Sequence, residues 1–342
     1  MERLIVFFSI LALLMLTACG DTSSAPTESE DGRSENEEIE ETINWKFGHL
    51  SAEDHIWHKT AEKFAELVKE KTEGQINIEI YPNEQLGGET EVLNSINAGS
   101  VDLTISGETL QNWAPKAALL AVPYAFKNQE HMVAAVEGEI GQEIEEEIIE
   151  KADVTPLYYH MRAPRNLTSN EPINSPEDLN GFKMRVPNVP LFMDVWEAAG
   201  AQPQVMDFSE VFTALQQGVI DGQENPYDLI YSGSLNEVQK YVNETEHVYS
   251  WIYVVIGNNQ YESLSEDLKV KVEEAAQEAQ SFGQDLFEEE LEQYKQSLID
   301  KGMEINSNVD KEAFAEVMSP AIENNLNEEQ YELYEKILEI EY

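Results

Sequence analysis

From residue 265 to residue 301 the chain is almost unbroken in helix-forming residues, with Gly283 as its one interior weak point. A helix of about 37 residues rising 1.5 Å each is about 55 Å long, more than a small domain is wide. Such a rod either projects into solvent or runs across two bodies, and the rest of the chain favours the second. Residues 43–49 alternate as a strand does, and a helix from about His55 to Lys71 carries an apolar face of Ile56, Ala61, Phe64, Ala65, Leu67 and Val68. After Gly74, residues 76–81 alternate again; Pro82-Asn83 turns the chain toward a helix around 90–97, and residues 101–105 form a third strand. That β-α-β-α-β order predicts a mostly parallel sheet covered by helices. The middle repeats the pattern, with strands over 154–161, 182–186 and 203–206 and helices over 190–199 and 207–217. Residues 247–256 read as one long aromatic and β-branched strand crossing between lobes.

Composition narrows the partners. The 342 residues hold 21 Lys and Arg against 67 Asp and Glu, a formal charge of −46. A field of that sign repels nucleic acid and anionic lipid, and it keeps the surface heavily hydrated at high salt or high external pH. Cys19 is the one cysteine, so no intramolecular disulfide forms. Residues 5–16 are an apolar run after Arg3, matching an export signal and too short for a comfortable transmembrane span. Leu16-Thr17-Ala18-Cys19 resembles a bacterial lipobox, which places a lipoprotein signal peptide over 1–18 and lipidation on Cys19. Residues 19–42 are Ser-, Glu- and Asp-rich and read as an acidic tether spanning roughly 25–30 Å. The mature protein is thus expected on the outer face of the cytoplasmic membrane, held by a lipid anchor. A lipobox and a long tether suit a Gram-positive surface.

Against that acidic background, two arginines stand at strand ends beside prolines. Arg165 opens Arg165-Asn166-Leu167-Thr168-Ser169, and Arg185 lies in Gly181-Phe182-Lys183-Met184-Arg185-Val186-Pro187. Guanidinium is planar and permanently charged, and its fork matches a carboxylate's two oxygens. Asn225, in Asp221-Gly222-Gln223-Glu224-Asn225-Pro226, donates to such a group without adding charge, and Phe208 shields it from water. Arg162 reads as a surface or supporting residue. Two α/β lobes with chain crossovers place a ligand in the crevice outside the strand ends, with hinge-like closure.

From about residue 43 to about residue 300 the chain resembles the solute-binding proteins of TRAP transporters, of the DctP type. The resemblance rests on Phe64-Ala65-Glu66-Leu67-Val68 with Thr72-Glu73-Gly74, Tyr81-Pro82-Asn83 with Gln85-Leu86-Gly87, the Arg185 strand, the 209–218 run and the 221–226 segment. It implies a two-lobed, periplasmic-binding-protein-like α/β fold with mixed sheets and a long helix spanning both lobes. It also implies a receptor that delivers an organic acid to two integral membrane subunits driven by an ion gradient. By the same resemblance Arg185 is the bidentate carboxylate clamp, Arg165 and Asn225 are further carboxylate contacts, and Phe208 lines the pocket. Glu108 meets ligand hydroxyls, and the Glu53-Asp54-His55 loop contributes, with His55 as its candidate. Phe212 stands where a tyrosine is common and Asp207 where a small or apolar residue is usual, which leaves the ligand's identity open.

The expected division is 43–162 with 251–285 as one lobe and 163–250 with 286–342 as the other. The expected ligand is a sugar acid, uronate or aldonate, ahead of a C4-dicarboxylate, with no turnover, no cofactor and a monomeric state. Three alternatives compete: a glycosidase-like acid pair of Glu108 and Glu224, a zinc site of His49, His55 and His58, and a receptor serving an ATP-driven importer or a sensor kinase.

Overall fold

The computed structural model describes residues 42–342; Cys19, the signal segment and the tether lie outside the described residues. In chain order the strands are β1 (Ile43–Gly48), β2 (Ile76–Tyr81), β3 (Leu103–Ser106), β4 (Val154–Met161), β5 (Arg165–Ser169), β6 (Lys183–Val186), β7 (Gln202–Val205), β8 (Gly222–Asn225), β9 (Tyr241–Val248), β10 (Trp251–Gly257) and β11 (Glu304–Asn306). They form two sheets, one ordered β2-β1-β3-β10-β4 and the other β11-β9-β5-β8-β6-β7. The first is parallel through β2, β1 and β3, but β10 enters antiparallel to both β3 and β4. In the second, β8, β6 and β7 run parallel while β5 lies antiparallel to β8 and β9. Both sheets are therefore mixed, because each receives a strand from a chain returning out of the other.

That return corrects one expectation. Residues 247–256 are not one strand: β9 ends at Val248 in the second sheet, Tyr249-Ser250 makes the crossing, and β10 begins at Trp251 in the first. Alongside, β4 ends at Met161 and β5 begins at Arg165. The two crossings lie side by side, with Trp251 opposite Met161, Val248 opposite Arg165, and Arg162 N donating to Ser250 O at 3.1 Å. Both halves carry the same aromatic and β-branched pattern, so periodicity shows no break between them. β10 is buried along its whole length, as a central strand with both faces covered must be.

The long helix is Glu266–Asp300, 35 residues, and the Ser265 hydroxyl caps it by accepting from Leu268 N at 3.3 Å. Its small residues Val272, Ala275, Ala276 and Ala279 share a core with Trp57, Ala61 and Phe64 of the helix Ile56–Lys71. Further along, Tyr294 meets Tyr231 with ring centroids 5.6 Å apart, and Lys295 reaches Glu244 of β9 at 2.6 Å. One rod thus touches the bodies built on both sheets. At Gly283 it approaches its neighbour closely: a Cβ there would stand 2.9 Å from Thr60 Oγ1. The glycine that reads as a weak point in sequence is a close-approach point in space.

The last helix, Glu328–Glu339, was grouped with the second lobe but rests on the segment that follows β3. Gln330 Nε2 donates to Pro115 O at 2.6 Å, and His131 Nε2 lies 2.8 Å from Ile337 O.

Candidate functional site

Strand order in the second sheet brings the site together. Antiparallel pairing sets Asn166 opposite Asn225, and parallel pairing sets Arg185 opposite Gln223, so Arg165, Arg185 and Asn225 converge at one end of adjacent strands. Arg165, Arg185, Asn225, Phe208 and Glu108 all line one cavity between the two sheets, about 540 Å³ with its opening to solvent included. Its remaining wall includes Arg162, Trp57, Glu84 and Glu89.

Arg165 is held almost wholly by Glu224. Its Nη2 donates to Glu224 Oε1 at 2.6 Å and to Glu224 O at 2.9 Å, its Nε bonds the other carboxylate oxygen, and the guanidinium lies 5.5 Å from the Phe192 ring centroid. Glu224 Oε2 is also 3.0 Å from His247 Nε2, and His247 Nδ1 is 2.9 Å from Thr245 Oγ1. Burial alone would raise the Glu224 carboxyl, but the Arg165 guanidinium outweighs it and holds it at about 2. Burial holds His247 below its ordinary range, although Glu224 pulls the other way.

Arg162, read as a surface or supporting residue, stands on the cavity wall and supports Glu108. It is buried, it donates from Nη1 to both oxygens of Glu108 at 3.0 and 3.1 Å, and it lies 5.5 Å from the Trp57 ring. Arg165 Nη1 reaches the same carboxylate at 3.4 Å. Burial pushes Glu108 upward, yet these two cations bring it below its ordinary value, so it is anionic. Glu108 and Glu224, weighed as an acid and base pair, are thus both ionised acceptors tied to arginine, and neither is poised to donate a proton. The signal for Arg162 was the one that identified Arg185: an arginine at a strand end two residues before a proline.

Arg185 differs from its neighbours. Its Nε donates to Met206 O at 2.8 Å and the Phe208 ring stands 5.8 Å away, yet among the described residues it makes no ion pair. No hydrogen bond among the described residues engages its two terminal nitrogens, which face the cavity. Burial lowers its pKa to about 10, the mark of a cation whose charge is not yet compensated. Asn225 borders the same space, its Nδ2 donating to Gln223 Oε1 at 2.6 Å.

Glu89 is a residue that sequence reading passed over. Its carboxylate accepts from Ser106 Oγ, and burial, with Glu108 beside it, raises its pKa to about 7. A raised carboxyl contributes stability that is complete below its ordinary pKa near 4.5 and is lost as pH climbs through 7. We therefore expect the melting temperature of Glu89→Gln to fall less than that of wild type between pH 4.5 and 7. Parallel profiles for the two proteins would refute the assignment.

His55 is not brought to the cavity. It is fully buried, its Nδ1 accepts from Trp57 N at 3.1 Å as the cap of the helix Ile56–Lys71, and its Nε2 lies 3.2 Å from Asp228 Oδ2. The helix start claims the ring that sequence had offered to a ligand. His49 Nε2 meets His58 Nδ1 at 3.1 Å instead, so the three histidines do not converge. Among the described residues no group of three or more His, Cys, Asp or Glu could hold a metal ion. Phe212, where a tyrosine was expected, borders a separate groove with Ser209, Ser232 and Leu235.

The family model of bacterial extracellular solute-binding protein family 7, DctP, matches residues 47–329. The chain belongs to this family. It is a DctP-type TRAP solute-binding protein and an extracytoplasmic receptor for small organic acids. A solute-binding protein of Roseobacter denitrificans is 54% identical over 284 residues, 83% of this chain and 87% of that relative. Its crystal structure, with bound L-galactonate, superposes with a TM-score of 0.85 at 52% identity, covering 87% of this chain and 99% of that one. A second Roseobacter denitrificans receptor, with bound β-D-glucuronate, reaches a TM-score of 0.84 at 28% identity over 87% of this chain and all of that one. The C4-dicarboxylate-binding protein DctP of Rhodobacter capsulatus is 31% identical over 290 residues, 82% of this chain and 86% of that one. Among the described residues no helix of this family 7 receptor is long and apolar enough to cross a membrane.

Proposed function

We propose that the receptor captures a single sugar acid, aldonate or uronate, by its carboxylate and delivers it to the membrane subunits of a TRAP transporter. The observation that carries this reading is Arg185: a buried guanidinium with a free fork and no ion pair among the described residues, in a chain that holds 67 carboxylates. A site that keeps one cation uncompensated is complementary to one anionic group. Arg165 and Arg162 are already neutralised by Glu224 and Glu108, so a second ligand carboxylate would find no free cation among the described residues of the wall. The wall that includes Glu89, Glu108, Thr109 and Asn188 instead offers acceptors and donors for hydroxyls. The L-galactonate and glucuronate found in its relatives have this chemistry. Asn225 completes the carboxylate contact and Phe208 excludes water above it.

Anchoring through diacylated Cys19 and the acidic tether would hold this monomeric receptor near its membrane partner. A thermal-shift series with aldonates, uronates, C4-dicarboxylates, 2-oxo acids and zinc tests the ligand class. A sugar acid at about 100 times its Kd adds about 2.7 kcal/mol and raises the melting temperature visibly. A rise with dicarboxylates alone would move the assignment to that class, and a rise with zinc alone would overturn it. Mass spectrometry of the mature protein decides the lipidation.

A further inference from the structure

Three of the contacts that cross the mouth of the cavity arise from residues 84–90, which follow β2. Glu84 accepts from Phe208 N at 3.3 Å through Oε1 and from Ser209 N at 2.9 Å through Oε2. Asn188 Nδ2 donates to Thr90 Oγ1 at 3.2 Å. Gly88 lies so close to Asp207 that a Cβ there would stand 2.4 Å from the Asp207 carboxyl carbon. Glu84, Gly88 and Thr90 belong to the body built on the first sheet; Phe208, Ser209, Asp207 and Asn188 belong to the other.

The pattern at Phe208–Gln216 is unusual for a helix start. Asp207 occupies the cap position and is a residue type suited to it, but its side chain makes no cap bond. Two orphan amide protons of the first turn, those of Phe208 and Ser209, go to Glu84, more than a hundred positions away in the chain. Asn83 and Glu84 hold φ of 54° and 55°, two successive non-glycine residues in the left-handed region, where a Cβ crowds the following carbonyl. Backbone bonds hold the turn in place: Asn83 N to Ser51 O and Glu84 N to His49 O, both at 3.0 Å, and Gly87 N to Glu84 O at 2.9 Å. A strained turn fixed this firmly, which presents a carboxylate to the positive end of a helix on the facing body, is built for that contact.

We infer that Glu84 is a positioning residue for ligand capture: it caps the helix Phe208–Gln216 from across the cleft and so holds Phe208 over the Arg185 clamp in the closed receptor. The inference rests on the reading of this cavity as the ligand site. The contact forms only when the two bodies meet, so its loss acts on release of the ligand and not on the initial encounter. Because the carboxylate is spent on backbone amides, the effect is the same for every ligand the clamp accepts.

The test compares wild type, Glu84→Ala and Glu84→Gln by stopped-flow release of L-galactonate and of D-glucuronate, with hydrogen exchange at the Phe208 and Ser209 amides measured in parallel. Losing an N-cap corresponds to a roughly three- to thirtyfold change. We expect Glu84→Ala to speed release of both acids by about three- to tenfold with unchanged association rates, the lower end because the contact is half-exposed. Glu84→Gln, which keeps an acceptor oxygen, recovers part of that loss, and both amides exchange faster in Glu84→Ala. Equal release rates and equal exchange would overturn the role, as would an effect confined to one of the two acids, which would make Glu84 a direct ligand contact. If wild type takes up neither acid, the sugar-acid reading fails by itself, and the exchange arm still decides whether Glu84 caps the helix.

Discussion

Arg185→Ala is expected to raise the Kd for the receptor's sugar acid by about 30- to 5,000-fold while leaving the fold in place. Truncating one partner of a buried, hydrogen-bonded charge pair costs about 2–5 kcal/mol, which converts to that range. The ligand-free protein loses only the Nε bond to Met206 O and the contact with Phe208, and it sheds a charge that burial penalises. Its melting temperature should therefore stay close to that of wild type, while the ligand-induced rise disappears. Arg185→Lys is not a rescue, because a single ammonium cannot present two parallel donors. Isothermal titration of wild type and both variants is the measurement. An alanine variant that binds as tightly as wild type would remove Arg185 from the clamp and leave the family's likeness without its central contact here.

Glu224→Gln should do the opposite, damaging the fold before it damages recognition. Arg165 is buried and donates two of its hydrogen bonds to the Glu224 carboxylate, so neutralising that group leaves the guanidinium with only the longer 3.4 Å contact to Glu108 as counter-charge. Breaking a buried pair from one side costs about 3–5 kcal/mol. At about 2–4 °C per kcal/mol, the expected loss in melting temperature is about 10 °C. The wild-type pair also leaves a signature in acid. Glu224 is held below its ordinary carboxylate range, so its contribution is complete above about pH 4.5 and is lost as pH falls toward 2. Glu224→Gln should lack that acid limb. Replacing both residues by apolar ones of similar volume should recover much of the stability, since a well-packed apolar pair can match a buried ion pair. Denaturation of the single and double variants between pH 2 and 7 separates these outcomes; a stable Glu224→Gln protein would show that Arg165 finds another partner.

Much of this was legible in the chain. The helix Glu266–Asp300 was readable because helix-forming residues sustained over ten turns admit few other structures. Arg185 was readable because the residue type and the strand-end setting carry its chemistry. The split between β9 and β10 was not, because an aromatic and β-branched run reads alike whether it stays in one sheet or passes to another. His55 looked like a loop ligand until the first turn of a helix claimed its ring.

The element types, the two-lobed α/β class and the arginines able to grip a carboxylate could be read along the chain. Those depend on local periodicity, caps and side-chain chemistry, all of which act over a few residues. Which arginine stays free depends on the folded arrangement. Arg162 and Arg165 are neutralised by Glu108 and Glu224, at 54 and 59 positions' separation, while Arg185 is left open. Among 67 carboxylates, nothing local to an arginine says which one will reach it. Charge pairing acts through space, and the distances exist only once the two sheets have folded and met.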